Sequence, residues 1–116
     1  MSKAFYALGR LPAGQMNKTE QAYEQEVLKP AMQSGQIVWY QFEGIKLKLA
    51  NNTFYTPDFN VMNADGTMEM REVKGFWQDD ARVKIKVAAS EYPFRFIAVK
   101  RIAKKNGGGW CIEEFK

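Results

Sequence analysis

The sequence predicts a mixed α/β fold, one central sheet flanked by helices, with elements in the order α-β-β-β-β-α-β-β. Apolar residues recur at helical spacing in two stretches, near 17–34 and 79–92. Around them lie short runs of β-branched and aromatic residues separated by Gly, Asn and Pro breaks. The chain has 116 residues, 46% of them hydrophobic and 14% aromatic, which suits a single domain with its own core. Residues 1–16, broken by Gly9, Pro12 and Gly14, read as an N-terminal arm, and residues 17–116 as that domain.

Asn17-Lys-Thr-Glu20 opens the first helix, Asn17 as N-cap and Glu20 three residues on completing a capping box. Tyr23, Val27 and Ala31 follow at i+4 spacing, with Leu28 and Met32 widening the stripe. Pro30 predicts that the helix ends near Lys29 or bends there, and Ser34-Gly35 closes the pattern. Residues 37–42 are rich in strand formers, and Glu43-Gly44 breaks them. Residues 45–49 alternate strictly, with Lys46 and Lys48 outward. After the Asn51-Asn52 turn, residues 55–62 read as one strand entered through Pro57. The Asn63-Ala-Asp-Gly66 hairpin turn and an answering strand over 67–74 follow. A second helix begins at Asp79-Asp80, acids that suit the positive end of its dipole, and Pro93 ends it. Residues 94–99 and 110–115 read as the last strands, joined by a basic, Gly-rich connection, with Cys111 as a small buried hydrophobe.

Composition removes several chemistries. With no histidine there is no Ser-His-Asp or Cys-His triad, no His-ligated zinc and no His general base. A single cysteine supports no disulfide framework and points to a reducing compartment. No apolar run approaches the ~20 residues of a membrane helix, and the N-terminus lacks a secretory pattern. The expectation is a cytoplasmic protein without membrane association. A net charge of +4 leans mildly toward polyanionic partners.

The informative residues are Pro57-Asp58 and Glu72-Val73-Lys74, on strands joined by a hairpin. Period-2 geometry puts Glu72 and Lys74 on one face and Val73 on the other. If the register sets Asp58 beside Glu72, two carboxylates and an ammonium converge. Adjacent carboxylates repel and become a stable pair around a hard cation such as Mg²⁺. Lys74 can then orient or deprotonate a metal-bound water and offset charge on a phosphate. Each residue also has a plainer reading. Pro-Asp is a common turn pair, Glu72 and Lys74 can form a solvated strand face, and Glu20 can act as a cap alone.

Pro57-Asp58…Glu72-Val73-Lys74 resembles the motif of the PD-(D/E)XK metal-dependent nucleases. The flanks Tyr55-Thr-Pro-Asp-Phe59 and Glu72-Val-Lys-Gly-Phe-Trp77 are most similar to the phage endonuclease I group of junction-resolving enzymes and related small phage proteins. The resemblance runs from about Asn17 to Val99. It implies a restriction-endonuclease-like core and Mg²⁺-dependent hydrolysis of DNA phosphodiesters, with Mn²⁺ able to substitute. It implies Asp58, Glu72 and Glu20 as metal ligands, the Val73 carbonyl as a further one, and Lys74 as the group acting on the attacking water. Branched DNA as substrate and a homodimer follow from the same resemblance. Arg82, Lys84 and Lys86 on the second helix, and Lys46 and Lys48, are candidate phosphate contacts or a solvated face. Phe76 and Trp77 read as packing or base stacking. A non-catalytic nucleic-acid-binding accessory protein with a vestigial site is the alternative.

Overall fold

Asn17 caps the first helix in the way its spacing from Glu20 predicts. The Asn17 side chain accepts from the Glu20 N–H at 2.8 Å, and Glu20 Oε1 accepts from the Asn17 N–H at 2.8 Å. In this computed structural model, which describes residues 14–74 and 79–116, helix α1 (Lys18–Tyr23) follows. It runs through a π-helical turn (Glu24–Leu28) into α2 (Lys29–Ser34). The helix therefore does not end at Lys29. Pro30 has no N–H and its ring crowds the preceding turn. Widening that turn, with Lys29 N–H donating to the Glu24 carbonyl, carries the helix past the proline. Gly35, at φ 82°, then stops it in the left-handed conformation.

The strands are β1 (Ile37–Phe42), β2 (Leu47–Ala50), β3 (Thr53–Tyr55), β4 (Phe59–Asn63) and β5 (Met68–Lys74). Helix α3 (Asp79–Glu91), β6 (Arg95–Arg101), a 3₁₀ turn (Lys104–Asn106) and β7 (Trp110–Phe115) complete the chain. Five strands form a mixed sheet in the order β1-β4-β5-β6-β7. Its pairs are antiparallel except for β5–β6, which is parallel. Strands β2 and β3 form a separate antiparallel hairpin. The mixed α/β architecture is as predicted, with one more strand than expected. The run over 55–62 is split: Tyr55 ends β3, residues 56–58 form a bend, and pairing resumes at Phe59. Pro57 cannot donate to a ladder, and the break falls around it. Residues 1–13 of the expected arm, and Phe76 and Trp77 with their expected roles, lie outside the described residues.

The sheet is buried on both faces. Tyr23, Leu28, Phe59, Val61, Val73 and Val99 pack together under α1 and α2. Leu47, Tyr55, Met70, Ile85, Ala88 and Phe96 pack together under α3 and the β2–β3 hairpin. Strand β5 divides between these cores by alternation. Glu69, only 3% exposed, bridges two arginines. Its Oε1 accepts from Arg71 Nε at 2.9 Å and its Oε2 from Arg95 Nη1 at 2.6 Å. Cys111 is exposed rather than buried, because β7 is an edge strand with most of its residues facing outward. Among the described residues no helix is long and apolar enough to cross a membrane.

Candidate active site

Three elements bring the predicted acids to one end of the sheet. Phe59 of β4 stands opposite Arg71 of β5, so one step further along the antiparallel pair sets Asp58 against Glu72. The bend at 56–58 turns the Asp58 side chain inward, where its Oδ2 accepts from the Val73 N–H at 2.8 Å. Glu72 and Lys74 share a face of β5 and form an ion pair at 2.9 Å, while Val73 sinks into the opposite core. Glu20 arrives from α1, where the capping box holds one of its oxygens, and its carboxyl stands near enough to Asp58 for each to influence the other's ionisation. It therefore caps α1 while its carboxyl also lies near the sheet acids. Glu20, Asp58 and Glu72 are 8%, 8% and 6% exposed, a concentration of buried acid that packing alone does not call for.

Asp58 is driven toward its protonated form. Burial, then repulsion from Glu72 and Glu20, pushes the Asp58 carboxyl up to about 9, against smaller opposing effects of the Val73 N–H and Lys74. Burial likewise raises Glu20. For Lys74, burial acts downward but the neighbouring Glu72, with Asp58 and Glu20, prevails and leaves the ammonium above its ordinary value. Lys74 is thus a cation at neutral pH. Of its two expected roles, orienting water and neutralising phosphate charge suits this state, and accepting a proton does not.

Tyr55 was legible only as a neighbour of the motif, yet it belongs to the site. Its hydroxyl donates to Glu72 Oε1 at 2.6 Å, a contact across 17 residues that no local spacing announces. Of the expected phosphate contacts, Lys84 and Lys86 on α3 and Lys46 and Lys48 on the hairpin side are exposed. Lys46 lies over the Phe54 ring, 4.5 Å from its centroid. Arg82 is engaged instead by Glu113 through two hydrogen bonds of 3.0 and 2.6 Å.

The donors Glu20, Asp58 and Glu72 form an all-oxygen, acidic set, the chemistry a hard divalent cation takes. They do not, as placed, converge on one point. Glu20 meets Asp58, Glu72 turns to Tyr55 and Lys74, and among the described residues no three acids stand as a ready metal-binding group. A cation here would replace the proton held by Asp58. Binding of Mn²⁺ at pH 7.5 is therefore expected to release about one proton per site. Calorimetry in buffers of different ionisation enthalpy measures this, and binding without proton release would contradict the raised carboxyl of Asp58. Comparison with protein families, with curated proteins and with solved structures finds no match to this chain.

Proposed function

We propose that this chain is a metal-dependent DNA endonuclease of the PD-(D/E)XK type, its mixed sheet serving as a restriction-endonuclease-like core. The observation that supports the reading is the burial of Glu20, Asp58 and Glu72 at one end of the sheet, with Asp58 one step from the Phe59–Arg71 pair that sets it against Glu72 and with Lys74 ion-paired to Glu72. Acids buried against one another cost stability, and a site that needs them for chemistry is the physical reason to keep them. Asp58, Glu72 and Glu20, with the Val73 carbonyl, would hold Mg²⁺ or Mn²⁺. The cation would supply Lewis acidity toward the phosphate and an acidified water. Lys74 sits beside Glu72 as a fixed positive charge, suited to align the attacking water and to stabilise the pentavalent phosphate. Exposed Lys84, Lys86, Lys46 and Lys48 are then phosphate contacts that position DNA without reading its sequence. On this reading branched DNA is the first substrate to test, a second copy of the chain would make the second cut, and a phage protein acting in the host cytoplasm is the setting.

The test is incubation of the purified protein with linear duplex, single-stranded and four-way-junction DNA, in Mg²⁺ or EDTA. Cleavage in Mg²⁺, absent in EDTA and absent for Lys74→Ala, is expected. The Lys74→Ala variant keeps DNA binding and remains folded, with a lowered melting temperature because buried Glu72 loses one of its two partners. The second reading, a nucleic-acid-binding protein with a vestigial site, draws on one observation. Every buried side-chain nitrogen and oxygen among the described residues already has a hydrogen-bond partner, so the site is satisfied without a ligand. Salt-sensitive binding with intact DNA in Mg²⁺ would establish that reading, and absence of both binding and cleavage would overturn both.

A further inference from the structure

We infer that Tyr55 is a positioning residue that fixes the Glu72 carboxylate for cation binding and does not itself touch substrate; the inference rests on the nuclease reading above. The two oxygens of Glu72 are held separately, Oε1 by the Tyr55 hydroxyl at 2.6 Å and Oε2 by the Lys74 ammonium at 2.9 Å. Two donors from different elements define both the plane and the rotation of the carboxylate. Each oxygen has a further lone pair, so the grip leaves room for a cation. Carboxylates that bind metals are oriented in this way by hydrogen bonds from behind, and removing such a bond typically weakens metal binding or activity 10- to 100-fold.

Tyr55 is suited to the task because its own place is fixed. It is 8% exposed and belongs to the core that includes Leu47, Met70, Ile85 and Phe96. Its backbone is paired with Leu47 in the β2–β3 hairpin. It also stands immediately before the bend that carries Asp58. One ring therefore anchors the chain leading to the first sheet acid while its hydroxyl orients the second. The hairpin, which contributes no carboxylate of its own to the cluster, becomes part of the site through this single side chain.

Tyr55→Phe keeps the ring and deletes the hydrogen bond. Mn²⁺ binding to the wild-type protein and to this variant is followed by calorimetry and by the electron paramagnetic signal of free Mn²⁺. DNA cleavage is measured across a range of Mn²⁺ concentrations, and melting temperature is recorded without metal. The expected result is a Mn²⁺ Kd about 10- to 100-fold higher in the variant. Cleavage is largely restored at high Mn²⁺, and the metal-free melting temperature changes little. Wild-type binding with an unchanged Kd in Tyr55→Phe would overturn the positioning role and leave the nuclease reading intact. A weakened Kd that only parallels a large loss of thermal stability would also overturn it, as the mark of a purely structural hydroxyl. A wild-type protein that neither binds Mn²⁺ nor cleaves DNA would overturn the nuclease reading, and this inference with it.

Discussion

Asp58→Asn is expected to raise the melting temperature of the metal-free protein at pH 8 while abolishing DNA cleavage. In the unfolded chain Asp58 ionises near its ordinary value of 3.8, but in the fold its carboxyl is pushed up to about 9. Between those values the folded state binds more protons than the unfolded state, so stability falls as pH rises and levels off above the folded value. Asparagine is neutral throughout and removes that slope. Its carbonyl can accept from the Val73 N–H as Oδ2 of Asp58 does, and its neutral amide removes the repulsion toward Glu20 and Glu72. The gain at pH 8 is on the order of 2–4 kcal/mol, or roughly 10 °C in Tm. It shrinks as pH falls to 4 and below, where the wild-type carboxyl becomes protonated in the unfolded state as well. Loss of a charged ligand removes several kcal/mol of transition-state stabilisation, about 10³-fold in rate. Thermal melts of both proteins from pH 4 to 8, beside a cleavage assay, provide the check. A variant less stable than wild type at pH 8 would show that Asp58 is there for structure, and full activity would remove it from the site.

Phe59→Ala is expected to bring the protein close to unfolding. Phe59 is fully buried, its ring centroid 5.9 Å from Tyr23, 6.2 Å from Tyr40 and 5.3 Å from Phe42. It thus joins the first helix to β1 and β4 in the core under α1 and α2. Truncation of such a ring costs about 3–5 kcal/mol, against a total of about 5–15 kcal/mol for a domain. It also loosens the residue next to Asp58, where β4 begins. Urea unfolding measures the loss, and a change below about 1 kcal/mol would contradict this account of the core.

Much of the architecture was legible because its signals are local. The cap at Asn17 and Glu20, the opposite faces of Val73 and Met70 on β5 and the turn ending at Gly66 depend on neighbours in the chain, and they appear where the spacing puts them. The register that sets Asp58 against Glu72 was legible for a related reason, since a hairpin aligns its two strands as its turn dictates, but the convergence of the acids on one point was not borne out. Tertiary partners were not. The split between β3 and β4 arises because the chain leaves a small hairpin for the large sheet, a change of partner that strand propensity does not encode. Pro30 was readable as a disturbance, but whether a helix stops or widens its turn is decided by what its far end packs against, and Ala31 is buried. The exposure of Cys111 follows from the edge position of β7. The engagement of Arg82 by Glu113 and of Glu72 by Tyr55 joins residues far apart in the chain, so no period reveals either.

The parallel junction between β5 and β6 has no tight turn to align it, since a crossover carrying α3 intervenes. Glu69 supplies what a turn would. In the observed alignment it faces Arg95, and sliding β6 by two residues would set it opposite Ile97 or Pro93 instead. An interior anion would then lose one of its two guanidinium partners, a defect worth several kcal/mol that hydrophobic side chains, interchangeable along both strands, would not penalise. Misalignment is thereby excluded by charge, and the same lock keeps Lys74 level with Lys100 at the end of the sheet where the acids gather.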